Sequence, residues 1–219
     1  MIDLSEISCS LQSGKAMETS ALITRALAEN YSVESILKQG LIPGIKTVEE
    51  RLVRNEIFLP EMVVADRAMN IGLKTLQLLI PIPVKEPGPT VIIGTVKGEL
   101  RDIEKNLIAV MMQGLGFRVV DLGTGVSPEK FIQATINENA QFITAISMVT
   151  TTMQQLKLIV QTAAAANIRD QVKIVVTGKP ITEKFCQAIG ADIYAPDAIS
   201  AAELIAARQS KDVPAAMLV

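Results

Sequence analysis

Nine residues, Pro81-Ile82-Pro83-Val84-Lys85-Glu86-Pro87-Gly88-Pro89, divide this chain into two halves of different texture. Four prolines fix φ and remove backbone donors, so neither a helix nor a central strand runs through them. With Gly88 they predict an extended linker. The chain has 219 residues, 49% of them hydrophobic, enough for one large core or two small ones. The proline segment favours two: a first domain over 1–81, a linker at 82–89 and a second domain over 90–219.

Before the linker, apolar residues recur at helical spacing. The run 15–30 carries Ala16, Leu22, Ile23, Ala26 and Leu27 on one stripe. Ser32 is placed to cap a helix bearing Val33, Ile36, Leu37 and Leu41, and Pro43-Gly44 predicts a kink or short break in it. The pattern resumes with Ile45, Val48 and Leu52. Pro60 suits the first turn of a last helix, whose stripe is Met62, Ala65, Met69, Leu73, Leu76 and Ile80. Four or five helices joined by short loops read as a small antiparallel bundle.

After the linker, strand and helix patterns alternate. Short Val- and Ile-rich strands are predicted at 91–94, 118–122, 142–146, 173–177 and 193–194. Helices are predicted at 103–115, 127–137, 152–166, 182–189 and 198–207. Strands that are apolar on both faces belong to a parallel sheet covered on both sides. The fold class is therefore an N-terminal all-α helical bundle followed by a flavodoxin- or Rossmann-like, doubly wound, five-stranded parallel sheet. With strand order 2-1-3-4-5, ligands bind where the winding reverses, at the carboxyl ends of strands one and three. The loops there are 95–102 and 147–151, and both are rich in polar residues.

Composition removes several functions. A net charge of −2 offers no basic field for nucleic acid or an anionic membrane. Aromatic content of 3%, with no Trp, gives no base-stacking platform. Cys9 and Cys186 lie far apart and form no C-x-x-C, so neither a disulfide framework nor a cysteine zinc site is expected. The chain contains no histidine, which removes the commonest metal ligand and general base. No run approaches about 20 apolar residues. The start, M-I-D-L-S-E, lacks the basic region of a signal peptide, so a cytoplasmic location is expected.

Several fragments in order carry a resemblance. They are G-L-I-P-G-I at 40–45, I-F-L-P-E-M-V-V-A-D-R-A-M at 57–69 and G-E-L-R-D-I-E-K-N at 98–106. They continue with G-F-R-V-V-D-L-G at 116–123, S-M-V-T-T-T-M at 147–153, T-G-K-P at 177–180 and G-A-D-I-Y-A-P-D-A at 190–198. Together they resemble the methyltransferase-cognate corrinoid (cobalamin-binding) proteins over nearly the whole chain. The resemblance implies a cobalamin bound base-off, its nucleotide tail in a slot lined by Ser147, Val149, Thr150, Gly178 and Tyr194. It places Glu99, Leu100, Arg101, Asp102, Ile103, Glu104 and Thr151 at the cofactor, and Met69 or a neighbour at the ring's upper face. The implied partners are a substrate-specific methyltransferase and a second methyltransferase, with no nucleic acid and no membrane.

The loop departs from the family's D-x-H-x-x-G, in which the histidine binds cobalt from below. Here the three positions hold Glu99, Arg101 and Glu104. Arginine has no lone pair to give a metal and is always charged. Glu99 and Arg101 could instead form a loop ion pair worth about 0–1 kcal/mol. Glu104 in a first helical turn is favourable by about 0.3–1 kcal/mol with the macrodipole, yet its side chain could meet the ring. Thr177 stands where one of two glycines is usual and would narrow the tail slot. Asp102 is expected to cap the following helix, with Lys105 reaching outward. A cation beneath cobalt would favour the electron-rich, four-coordinate state. The expected function is thus a non-catalytic carrier subunit that holds a methyl group on cobalt without a histidine lower ligand. Two alternatives stay open: a paralogue that has lost the corrinoid and serves as scaffold or regulator of a methyltransferase complex, or a protein binding another small ligand.

Overall fold

In a computed structural model, which describes residues 2–80 and 88–212, the chain divides into two compact units, Met1–Pro81 and Ile82–Val219. Of the expected linker at 82–89, only Gly88 and Pro89 fall among the described residues.

The first unit is helical: α1 (Ser5–Gln12), α2 (Ala16–Ala28), α3 (Val33–Ile36), a π-helical turn (Leu37–Leu41), α4 (Ile42–Val53) and α5 (Leu59–Leu79). Two expectations change here. Helix α1 was not anticipated, although Leu4, Ile7 and Leu11 repeat at helical spacing and are buried. Of the kink or short break expected at Pro43-Gly44, a break is absent: the backbone stays helical from Val33 to Val53. Pro43 lies in the first turn of α4 and cannot donate to the turn before it. The π turn widens the helix at that point, a known way of absorbing a lost i→i−4 bond. Gly40 and Gly44 lie against α1, where an added Cβ would come within 3.1 Å of Ile7 and of the Ser8 carbonyl. Ser32 caps α3 by accepting from the Ser35 N–H at 3.1 Å. Helix α5 buries Met62, Ala65, Met69, Leu73 and Leu76 on the expected stripe.

The second unit alternates strand and helix. The strands are β1 (Thr90–Thr95), β2 (Arg118–Asp121), β3 (Phe142–Ile146), β4 (Lys173–Thr177) and β5 (Ile193–Ala195). The helices are α6 (Ile103–Gly114), α7 (Pro128–Asn137), α8 (Met153–Ala165), α9 (Glu183–Ile189) and α10 (Ala198–Asp212). All strand pairs are parallel, in the order β2-β1-β3-β4-β5. One sheet face carries Ile92, Ile143, Ala145, Ile174 and Val176, packed on Phe131 and Ile132 of α7, Leu156 and Ile159 of α8, and Cys186 and Ile189 of α9. Alternation along each strand puts Ile93, Thr95, Thr144, Ile146, Val175 and Thr177 on the other face. Helices α6 and α10 pack on each other and on that side of the sheet.

Candidate functional site

The order reversal between β1 and β3 brings the two predicted loops together. Glu99, in the loop after β1, is 3% exposed. Its carboxylate does not pair with the Arg101 guanidinium as the sequence suggested. One oxygen accepts from the Arg101 backbone N–H at 3.0 Å, and the other from the Met148 N–H at 2.9 Å. The Glu99 carbonyl accepts from the Thr95 hydroxyl at 2.7 Å and from the Gly125 N–H at 3.1 Å. The loop after β1 is thereby tied to the loops after β2 and β3. The reason for the difference is local: turning back onto its own backbone sends the Arg101 side chain out, and Arg101 is exposed. Leu100 beside it is 80% exposed.

Ser147 follows β3 and is fully buried. Its N–H donates to the Thr177 carbonyl at 3.1 Å, and its hydroxyl bonds the Thr152 hydroxyl at 2.8 Å and the Val149 carbonyl at 3.2 Å. Thr152 is therefore the threonine brought to Ser147. Val149, Thr150 and Thr151 are exposed on the rim. Gly178 has φ of +139°, and a Cβ there would lie 1.8 Å from the Ser147 carbonyl oxygen. Only glycine lets β4 turn away this close to β3.

Thr177, expected to narrow the tail slot, and Thr144 of β3 share a feature. Both are fully buried, and the hydroxyl of each has no hydrogen-bond partner. Strand pairing sets Thr177 beside Ile146 and Thr144 beside Val175, so the two hydroxyls belong to the face under α6 and α10. Tyr194 does not join them. It pairs with Val176 and packs on the opposite core with α7, α8 and α9. A shift of one residue flips the face, and the sequence alone does not give the register.

Helix α6 starts beside this site. Asp102 holds the N-cap position but its side chain makes no capping bond to the first turn. Ile103 and Glu104 follow, half-buried. Lys105 points inward, not outward: it is 3% exposed, and its ammonium meets Asp121 at the end of β2 and the Asn106 side-chain oxygen at 2.6 Å. Asp121 has the same sheet face as Ile93, which explains the turn inward. Met69, the residue assigned to an upper face, is fully buried on the core stripe of α5.

Comparison with known proteins decides the family. A B12 binding domain matches residues 89–203, and a second type of B12 binding domain matches residues 4–77. The chain belongs to the B12-binding corrinoid protein family. The dimethylamine corrinoid protein of Methanosarcina barkeri is 34% identical over 90% of this chain and 93% of its own. A corrinoid protein of Desulfitobacterium hafniense is 31% identical over 92% and 94%. The solved monomethylamine corrinoid protein of Methanosarcina barkeri superposes with a TM-score of 0.80 at 26% identity, covering 94% of this chain and 97% of that one. The methanol:cobalamin methyltransferase complex of the same organism shares the fold, with a TM-score of 0.55 at 20% identity over 97% and 81%.

Proposed function

We propose that this protein binds a corrinoid and carries a methyl group on it between a substrate-specific methyltransferase and a second methyltransferase, while supplying no side chain as lower ligand. The observation that carries this reading is the ordered loop around Glu99. A loop released from its role would be free to lose its buried carboxylate. Here that carboxylate holds two backbone N–H groups, and charge-assisted bonds of this kind contribute about 1.5–3 kcal/mol each.

The residues present fit a corrinoid held by its tail and ring. Thr144 and Thr177 leave two buried hydroxyls without partners near these strand ends, and Gly178 lets the chain after β4 pass against the Ser147 carbonyl. A chain without a ligand on this face would gain by replacing those hydroxyls with methyl groups. The same residues do not fit a corrinoid ligated from below, because the chain has no histidine and Arg101 donates no lone pair. When bound, the corrinoid supplies the cobalt that accepts and gives up the methyl group. The chain's own contribution is positional. Glu99 fixes the loop, Ser147 and Thr152 fix the end of β3, and the Arg101 charge lowers the cost of an electron-rich centre nearby.

The test is electron paramagnetic resonance of the chain reconstituted with cobalamin in the cobalt(II) form. The reading expects no axial nitrogen coupling in the wild type and its appearance in Arg101→His. Axial nitrogen coupling in the wild type would contradict it.

A further inference from the structure

We propose that Lys105 is a positioning residue for the corrinoid site. Through Asp121 it fixes the loop after β2, and through that loop the backbone around Glu99. The inference rests on the reading that a corrinoid binds at these strand ends. Among the described residues, two charged side chains are buried, Glu99 and Lys105, each 3% exposed. Glu99 closes the loops after β1 and β3. Stability alone does not explain Lys105. A cation in the first turn of α6 opposes the helix dipole, and a desolvated ammonium gains little net stability from its ion pair. An apolar pair in the same place would pack as well.

What the ion pair adds is orientation. Asp121 meets the ammonium with one carboxylate oxygen, and its other oxygen accepts from the Gly123 N–H at 2.8 Å. The Gly123 carbonyl accepts from the Thr95 N–H at 3.1 Å. Two residues on, the Gly125 N–H donates to the Glu99 carbonyl and to the Thr95 hydroxyl, both at 3.1 Å. A continuous run of bonds thus leads from Lys105 to Glu99, and across the Glu99 carboxylate to the Met148 N–H. The Asn106 side-chain oxygen accepts from the ammonium at 2.6 Å and holds it from a second side. A cation on one oxygen keeps the Asp121 carboxylate where the other meets Gly123. Without it the side chain, one-third exposed, is free to turn to water.

Three full-length proteins test this: the wild type, Lys105→Met, and Lys105→Met with Asp121→Leu. Each is followed by urea unfolding, by hydrogen exchange of the Gly123, Gly125 and Met148 amides against those of β4, and by visible titration with hydroxocobalamin. The double variant is expected to unfold near the wild type, since an apolar pair replaces the ionic one. Its loop amides are nevertheless expected to exchange about tenfold faster relative to β4. Its affinity for hydroxocobalamin is expected to fall about tenfold, the equivalent of one lost charge-assisted bond. Lys105→Met is expected to show the same two changes with lower stability. Because β4 serves as the internal reference, a loss of global stability does not produce the loop change. A loop-to-β4 exchange ratio unchanged in both variants, or wild-type affinity in a folded double variant, overturns the proposal. Failure of the wild type to bind hydroxocobalamin overturns the functional reading instead, and the exchange ratio still decides whether Lys105 positions the loop.

Discussion

Glu99 replaces an aspartate of the resembling loop and does a different job from the one its position suggests. Its oxygens close the backbone of two loops. Glu99→Ala is expected to lower unfolding stability by about 2–3 kcal/mol, read by urea denaturation, since it strands two N–H groups in a buried setting. Glu99→Gln keeps one acceptor oxygen and is expected to lose less. Gly178→Ala is expected to cost at least about 3 kcal/mol, because its Cβ meets the Ser147 carbonyl and its φ is unfavourable for L residues. The two cysteines differ as well. Cys186 is buried, and burial pushes its thiol up, with Asp192 and Glu183 adding to the effect; Cys9 is exposed. Iodoacetamide at pH 8 is expected to modify Cys9 and spare Cys186 in the folded protein, read by peptide mass spectrometry.

Helix ends show how far local chemistry reaches at the scale of elements. Asn30, Asn55, Asn139 and Asn167 all take positive φ just after helices, as do Gly14, Gly116 and Gly190. Each is followed by a backbone bond that closes the last turn, such as Tyr31 N–H to the Ala26 carbonyl at 3.0 Å. Such stops are legible in sequence, and the predicted ends of α2, α7 and α8 fall near them. The strands were legible too: β3 and β4 match their predicted spans, because short Val- and Ile-rich runs between turns leave little choice. What was not legible depends on partners distant in the chain. Lys105 reads as a surface lysine until strand pairing places Asp121 beside it. The face that Tyr194 takes is set by its pairing with Val176, which a sequence does not give. The unbroken helix through Pro43 needs α1 packed on Gly40 and Gly44. The buried pair gives a prediction: Asp121→Asn leaves the ammonium without a counter-charge and is expected to cost about 2–3 kcal/mol by thermal or urea unfolding, below the range of about 3–5 kcal/mol for fully buried pairs because Asp121 is one-third exposed and Asn106 still accepts from Lys105. Lys105→Met with Asp121→Leu is expected to recover most of that loss.

Across the whole molecule, both halves belong to one family, and among the described residues no helix is long and apolar enough to cross a membrane. The proline segment, the helical pattern before it and the strand–helix alternation after it were enough to infer this architecture. They did not single out Thr144 and Thr177, whose lack of hydrogen-bond partners is seen only in three dimensions. The central claim is that the chain binds a corrinoid without a protein ligand to cobalt. Gel filtration of the full chain mixed with hydroxocobalamin at micromolar concentration, with visible spectra taken across the protein peak, tests it most directly. The account predicts about one equivalent of pigment travelling with the protein in a base-off spectrum that Arg101→His changes. Pigment eluting apart from the protein would contradict it.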